Sequence, residues 1–291
     1  MIAYGAEDKG VLDYILSLKK IIKKKFFFVR SIREITKVKK KISLVITGSS
    51  FGNSLDQKII RWSKKNTVIS ISIVDHWYNF KERFSNKLNL PDYIILNDKE
   101  SYKKIKQLFP SIKQKLIVAG NPILFLLKKK KIKKKKPKKI LLFVSEKIPK
   151  KFENQKHLFI KQILLFLPGN YRLHIKLHPR EKNTEYLNLK SYKLSVYRNY
   201  SLRKLILDPE IIFGIRSILL IKCAIFRNDI LSLKIKGLQE KDFIPYKKKW
   251  LYPIVNISKF KEIFFKQKKI SNSHPIFYVS KQLINLIKRF T

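Results

Sequence analysis

The residue types best suited to acid–base chemistry sit together in one run, Val68–Arg83, reading VISISIVDHWYNFKER. β-Branched residues fill its first half and predict a buried strand, whose end gathers Asp75, His76, Trp77, Tyr78, Asn79 and Arg83. A carboxylate can take a proton, and imidazole has the free pKa closest to neutrality, so Asp75 and His76 are candidate catalytic groups. Asp8 competes for the role of base. It lies in Gly5-Ala6-Glu7-Asp8-Lys9-Gly10, a glycine-containing turn entering a helix that Val11, Leu12, Ile15, Leu16 and Leu18 space amphipathically. A plainer reading makes Trp77 and Tyr78 a hydrophobic plug and Asp75 a helix cap.

A second set of residues suits a phosphorylated ligand. Gly214-Ile215-Arg216-Ser217 puts a flexible turn, a guanidinium and a hydroxyl at a helix amino terminus, where backbone N–H groups and the dipole favour phosphate oxygens. His178, fixed by Pro179 and followed by Arg180, can donate to a phosphate or a leaving oxygen. Gly48, Ser49 and Ser50, then Asn121, then Ser145 and Glu146 end further apolar runs. No metal-ligand spacing stands out, so the expectation is no metal and no cofactor, with charge neutralised by Arg216, His178, lysines and helix dipoles.

The elements that must position these groups follow a rhythm. Strand, polar loop and helix recur about four times over the first ~120 residues, with apolar runs at Ile42–Thr47, Val68–Val74, Tyr93–Leu96 and Leu116–Ala119. Lys128–Lys139 breaks the pattern with a block of like charge that reads as a solvated linker. The rhythm then restarts with Ile140–Val144 and Arg172–Leu177, and Ile218–Ile225 reads as a buried helix. The expected class is α/β, with βαβ domains over 1–127 and 140–274. A terminal helix over 275–291, opening at Pro275, is long enough to pack back across the boundary.

Composition narrows the partners. Lys and Arg total 66 against 20 Asp and Glu, a formal charge of +46. The lysines are spread along the chain and accompany heavy use of Ile, Phe and Asn, a profile that drift in an A+T-rich genome also produces, so no specific nucleic acid is expected. The single cysteine, Cys223, excludes an intrachain disulfide and a Cys-based zinc site and points to a reducing cytoplasm. No apolar run approaches the roughly 18 residues that span a bilayer, and MIAYGAEDKG lacks the pattern of a signal peptide. A peripheral contact with the inner face of an anionic membrane is one reading of Lys19–Arg30, with Phe26–Phe28 inserted. The other is a charged helix end running into a buried strand.

With these residues assembled, the chain resembles the bacterial GT-B nucleotide-sugar enzymes: surface-polysaccharide glycosyltransferases, CDP-glycerol glycerophosphotransferases, sialyltransferase-like proteins and UDP-N-acetylglucosamine 2-epimerases. The likeness rests on AEDKGVLDYI (Ala6–Ile15), TGSS (Thr47–Ser50), SIVDHWYNFKERF (Ser72–Phe84), AGNP (Ala119–Pro122), LLFVSE (Leu141–Glu146), KLHPRE (Lys176–Glu181) and FGIRSILLIKCA (Phe213–Ala224), in that order. It implies two Rossmann-like domains facing a cleft, with the last helix crossing back to the first. His178, Arg180, Gly214, Arg216 and Ser217 would meet the donor phosphates, and Asp75, His76 and Asp8 the reacting sugar. Gly10, Gly48, Ser49, Ser50, Trp77, Asn79, Arg83, Asn121, Ser145 and Glu146 would line the acceptor side or the cleft. The implied activity is glycosyl transfer from a nucleotide-sugar donor to a cell-surface glycan or lipid-linked acceptor. The alternatives are a nucleotide-sugar 2-epimerase or hydrolase, or a non-catalytic protein that binds anions or nucleic acid. Lys222 departs from the pattern, standing where such proteins often carry an acidic residue for ribose hydroxyls, and so does Lys9 in the first loop.

Overall fold

The computed structural model describes residues 1–84, 90–129, 136–189, 191–238, 243–266, 270–275 and 277–290. The chain divides into two compact units, Met1–Lys129 with Ile276–Thr291, and Lys130–Pro275. The first runs β1 (Ile2–Tyr4), α1 (Lys9–Ile22), β2 (Phe26–Phe28), α2 (Ile32–Lys37), β3 (Leu44–Thr47), α3 (Leu55–Lys65), β4 (Ile69–Ile73), α4 (Phe80–Arg83), β5 (Tyr93–Leu96), α5 (Lys99–Leu108), β6 (Lys115–Val118) and α6 (Pro122–Lys128). The second runs β7 (Lys138–Val144), α7 (Lys150–Phe166), β8 (Arg172–Lys176), β9 (Leu194–Tyr197), α8 (Leu202–Leu207), β10 (Pro209–Gly214), α9 (Ile218–Ala224), β11 (Leu231–Leu233), α10 (Ile244–Lys247), β12 (Tyr252–Ile254) and α11 (Ile257–Phe265). The last helix, α12 (Lys281–Lys288), belongs to the first unit.

Each unit holds a six-stranded parallel sheet, ordered β2-β1-β3-β4-β5-β6 and β12-β11-β10-β7-β8-β9. The chain changes direction across the sheet between β1 and β3 in the first unit, and between β7 and β10 in the second. Parallel sheets carry ligands at such switch points, beyond the carboxyl ends of the strands. The strands read as unbroken apolar runs because both faces are covered. Ile2 and Tyr4 pack with Val11, Ile15, Leu283 and Ile287 on one face, while Ala3 and Val45 meet Ile35, Ile59 and Trp62 on the other. Helices start where short polar side chains satisfy the first N–H groups: Ser31, Ser54, Asp98, Ser201, Asn256 and Ser280 each accept from a backbone N–H two or three residues on, worth about 1 kcal/mol each.

Three expectations need adjustment. The last helix starts at Lys281 rather than at Pro275, because the preceding residues cross the first sheet's edge in extended form. Val279 bridges Gly120 there, and Ser280 donates its N–H to the Ala119 carbonyl and then caps the helix. Gly120 is required at this crossing: its φ is +76°, and a Cβ would lie 1.8 Å from the Tyr278 carbonyl oxygen. The segment Lys19–Arg30 is the end of α1, a turn and β2, with Phe26 buried and Phe27 half-buried, so these phenylalanines are not presented together to a membrane. The lysine block Lys128–Lys139 falls partly outside the described residues; Lys128 closes α6, and Lys138 and Lys139 open β7. Among the described residues no helix is long and apolar enough to cross a membrane.

Candidate functional site

Asp75 follows the carboxyl end of β4 and is buried, at 2 % exposure. Its carboxylate lies against the first turn of α1, so close that a Cβ on Gly10 would stand 2.5 Å from Oδ2. Glycine at that position is therefore what admits the acid. His76 Nε2 stands 3.2 Å from Asp75 Oδ2, yet neither carboxylate oxygen receives a hydrogen bond among the described residues. A buried carboxylate in that condition is costly unless something compensates its charge, and the amino-terminal dipole of α1 does so in part. Tyr14 is buried nearby and donates to the Gly120 carbonyl at 2.9 Å; burial pushes its phenol pKa up, and Asp75 adds to the rise. Asp8 stands at the N-cap position of α1, but its side chain makes no cap hydrogen bond.

The other first-unit candidates build a frame around this acid. Trp77 is buried, donates Nε1–H to Asp98 Oδ2 at 2.6 Å and packs its ring 6.2 Å from Phe277. Asn79 enters α4 in the left-handed region, and Arg83 reaches from that helix to Ser49 Oγ at 2.6 Å. Asn121 caps α6 through Oδ1 and donates Nδ2–H to Asn97 Oδ1 at 3.1 Å. Sequence reasoning missed Asp56, which joins the loops on either side of the switch point. Fully buried in α3, it accepts from the Glu7 N–H, Thr47 Oγ1 and the Ser50 N–H at 2.9–3.0 Å. It also explains Gly48, where a Cβ would stand 2.4 Å from Asp56 Oδ2. An acid in the first turn of a helix that follows a Gly-Ser-Ser loop was the available signal.

In the second unit the predicted residues converge on two buried ion pairs. Glu146 accepts from the Arg216 N–H at 2.9 Å, from Nε at 3.1 Å and from Nη2 at 2.8 Å, tying the ends of β7 and β10 together. The guanidinium charge of Arg216 is thus already balanced. Glu181 is the second hub, taking Ser145 Oγ at 2.7 Å, Lys156 Nζ at 2.8 Å and the His178 N–H at 2.7 Å. Tyr186 closes the set at 2.5 Å from Ser145 Oγ, with burial and then Glu181 raising its pKa. Lys156 and Tyr186 carried no sequence signal, because each sits among polar residues, Glu153–His157 and Lys182–Glu185, that read as ordinary solvated surface. His178 Nδ1 accepts the Arg180 N–H at 3.2 Å; an accepting Nδ1 carries no proton, which leaves Nε2–H as the ring's donor. Arg180 is exposed, and Ser217 caps α9 by accepting from the Leu219 N–H. Gly214 lets β10 approach β7, since a Cβ would lie 2.6 Å from the Val144 carbonyl oxygen.

No family model and no curated protein matches this sequence. Solved structures do. The Staphylococcus aureus MnaA–UDP structure superposes with a TM-score of 0.69 at 12 % identity, covering 99 % of this chain and 96 % of that one. The fold is GT-B-like. The UDP-GlcNAc 2-epimerase of Methanocaldococcus jannaschii gives 0.63 at 10 % identity, with 99 % of each chain covered. The wall teichoic acid polymerase TagF gives 0.50 at 12 % identity, over 80 % of this chain and 69 % of that one. The GT-B-like fold therefore covers nearly the whole chain, with Asp75 and the Glu146–Arg216 pair each at strand carboxyl ends of its own unit.

Proposed function

We propose that the protein is a glycosyltransferase that moves a sugar from a nucleotide-sugar donor to a hydroxyl of a surface glycan or lipid-linked acceptor, without a metal. The observation that carries this reading is Asp75: a buried carboxylate with no hydrogen-bond donor among the described residues, held against the first turn of α1 by Gly10. Such a group is poised to accept a proton. In the proposed step the acceptor oxygen attacks the sugar's anomeric carbon, its proton passes to Asp75, and the bond from that carbon to the phosphate oxygen breaks. His76, 3.2 Å from Asp75 and 14 % exposed, carries the proton on to solvent. His178, through Nε2–H, and Arg180 meet the leaving phosphate. Arg216, already neutralised by Glu146, holds the Gly214–Ser217 turn.

A second reading, epimerase or hydrolase action on the nucleotide sugar alone, is favoured by the near-complete two-way overlap with the 2-epimerase structures. Product analysis by NMR separates the two. Inversion at C2 breaks the C2–H bond and takes up solvent deuterium without acceptor, whereas transfer leaves that hydrogen in place and requires acceptor. On either reading Asp75→Asn is expected to lower turnover by about 10²-fold or more while the thermal stabilisation by UDP persists. An Asp75→Asn protein with full turnover removes Asp75 from the role of base.

A further inference from the structure

The charges of the first unit are segregated across its sheet. Its carboxylates collect where strands end and helices begin, as Glu7, Asp8, Asp56, Asp75 and Asp98 do. The amino edge is basic. Lys23–Lys25 precede β2 and Lys39–Lys41 precede β3, all six exposed, on either side of β1. Neighbouring strands lie about 4.8 Å apart, which sets the two triplets at strand ends roughly 10 Å apart. Ser43 ties this edge to the chain's end by donating Oγ–H to the Phe290 carbonyl at 3.0 Å, and the exposed Lys288 and Arg289 lie beside that residue. Asp92 is the acid at this edge among the described residues, and its Oδ2 already takes the Ser70 N–H and Oγ–H, both at 2.8 Å.

At the second unit's amino edge Lys138 pairs with Asp208 at 3.2 Å and Arg227 with Asp229 at 2.5 Å, while Lys247–Lys249 precede β12. Among the described residues no ion pair engages the first unit's two triplets. Beside the first triplet lies a cavity of about 300 Å³ lined by Met1, Ile2 and Lys23–Lys25, with Met1 40 % exposed. A concavity with an apolar floor and an ammonium rim suits a phosphate headgroup joined to an acyl chain, and the flanking triplet extends the positive field sideways, as a planar anionic surface requires.

We propose that the amino edge of the first sheet docks the protein on an anionic phospholipid bilayer, with a headgroup phosphate in the Met1/Lys23–Lys25 cavity. The strand ends that carry Asp75 lie at the opposite edge, so docking here leaves that edge uncovered. The inference stands on charge placement and holds whichever nucleotide-sugar reaction is correct.

The test is co-sedimentation of the full chain with vesicles of phosphatidylcholine alone, or with about a third phosphatidylglycerol, at low and physiological salt. Wild-type protein should bind the anionic vesicles and release with salt. Each lysine near such a surface contributes roughly fivefold in partitioning, so Lys23→Glu/Lys24→Glu/Lys25→Glu, or the same change at Lys39–Lys41, should reduce binding at least tenfold. A charge-matched control in α7, Lys150→Glu/Lys151→Glu/Lys161→Glu, should stay within about twofold, circular dichroism showing all variants folded. Equal losses in the control, or equal binding to uncharged vesicles, overturn the proposal. So does loss of binding to an RNA oligonucleotide in the edge variants with vesicle partitioning unchanged, which would assign the face to nucleic acid.

Discussion

Replacing Lys156 by Met tests whether the second unit's switch point is held by charge. Both partners of the Lys156–Glu181 pair have side chains at 0 % exposure, so neither can hydrate when the other is removed. Methionine keeps the length and apolar stem of lysine, which confines the change to the ammonium. Glu181 then retains Ser145 Oγ and the His178 N–H but loses its counter-charge, and one-sided removal of a buried pair costs about 3–5 kcal/mol. Glu181→Gln should fall in the same range, because it leaves the buried ammonium without a counter-charge, facing neutral oxygens such as the Glu146 carbonyl at 3.4 Å. The double variant removes both charges and should be more stable than the sum of the singles predicts by about 2–3 kcal/mol. Trp250 is the second unit's tryptophan, so urea unfolding in a Trp62→Phe/Trp77→Phe background follows that unit alone. Singles costing under about 1 kcal/mol, or costs that add within about 0.5 kcal/mol, would falsify the argument. The same variants should weaken UDP-dependent stabilisation, because Glu181 Oε2 fixes the His178 backbone.

Two further outcomes follow from the geometry. Gly120→Ala forces a Cβ onto the Tyr278 carbonyl at a positive φ, so it should release the crossing segment and α12; limited proteolysis after residue 276 should speed up sharply, with the second unit's unfolding unchanged. Burial lowers the pKa of His174, with Lys138 pushing the same way against Asp208, and burial likewise lowers His157, helped by Lys156. The unfolded chain therefore takes up these protons first: stability is full above about pH 6.5 and declines as pH falls below it, and His174→Phe should flatten that decline in unfolding curves between about pH 7 and 5.

What could be read from the sequence was whatever local chemistry decides. Ile42–Thr47, Val68–Val74, Tyr93–Leu96 and Ile140–Val144 contain β3, β4, β5 and much of β7, because strands covered on both faces leave continuous apolar runs. β9, β11 and β12 are three or four residues long, too short for period or composition to mark them. At the site, Asp75 and His76 could be found because a strand delivers them together. Lys156 and Tyr186 could not, since each is drawn into a polar cluster by partners on another element, and for Asp56 the local signal did not reveal its bond to the Glu7 N–H 49 residues away. The paired state of Arg216 was hidden for the same reason: Glu146 lies 70 residues away.

The two units use the same sheet plan for opposite electrostatic ends. At the β7–β10 switch point each buried carboxylate meets a buried cation, Glu146 with Arg216 and Glu181 with Lys156, so the strand ends are stiff and locally neutral. At the first unit's strand ends Asp56 spends its charge on backbone and hydroxyl donors, and Asp75 spends its own on no hydrogen bond among the described residues. A carboxylate whose oxygens are already taken by strong donors makes a poor base, because protonating it sacrifices those bonds; one without them gives up none. That difference, more than position in the sequence, sets Asp75 apart from the second unit's two hubs and from Asp56 as the acid to test first. It also fixes Gly10 as its companion, since a side chain there would fill the space the carboxylate occupies.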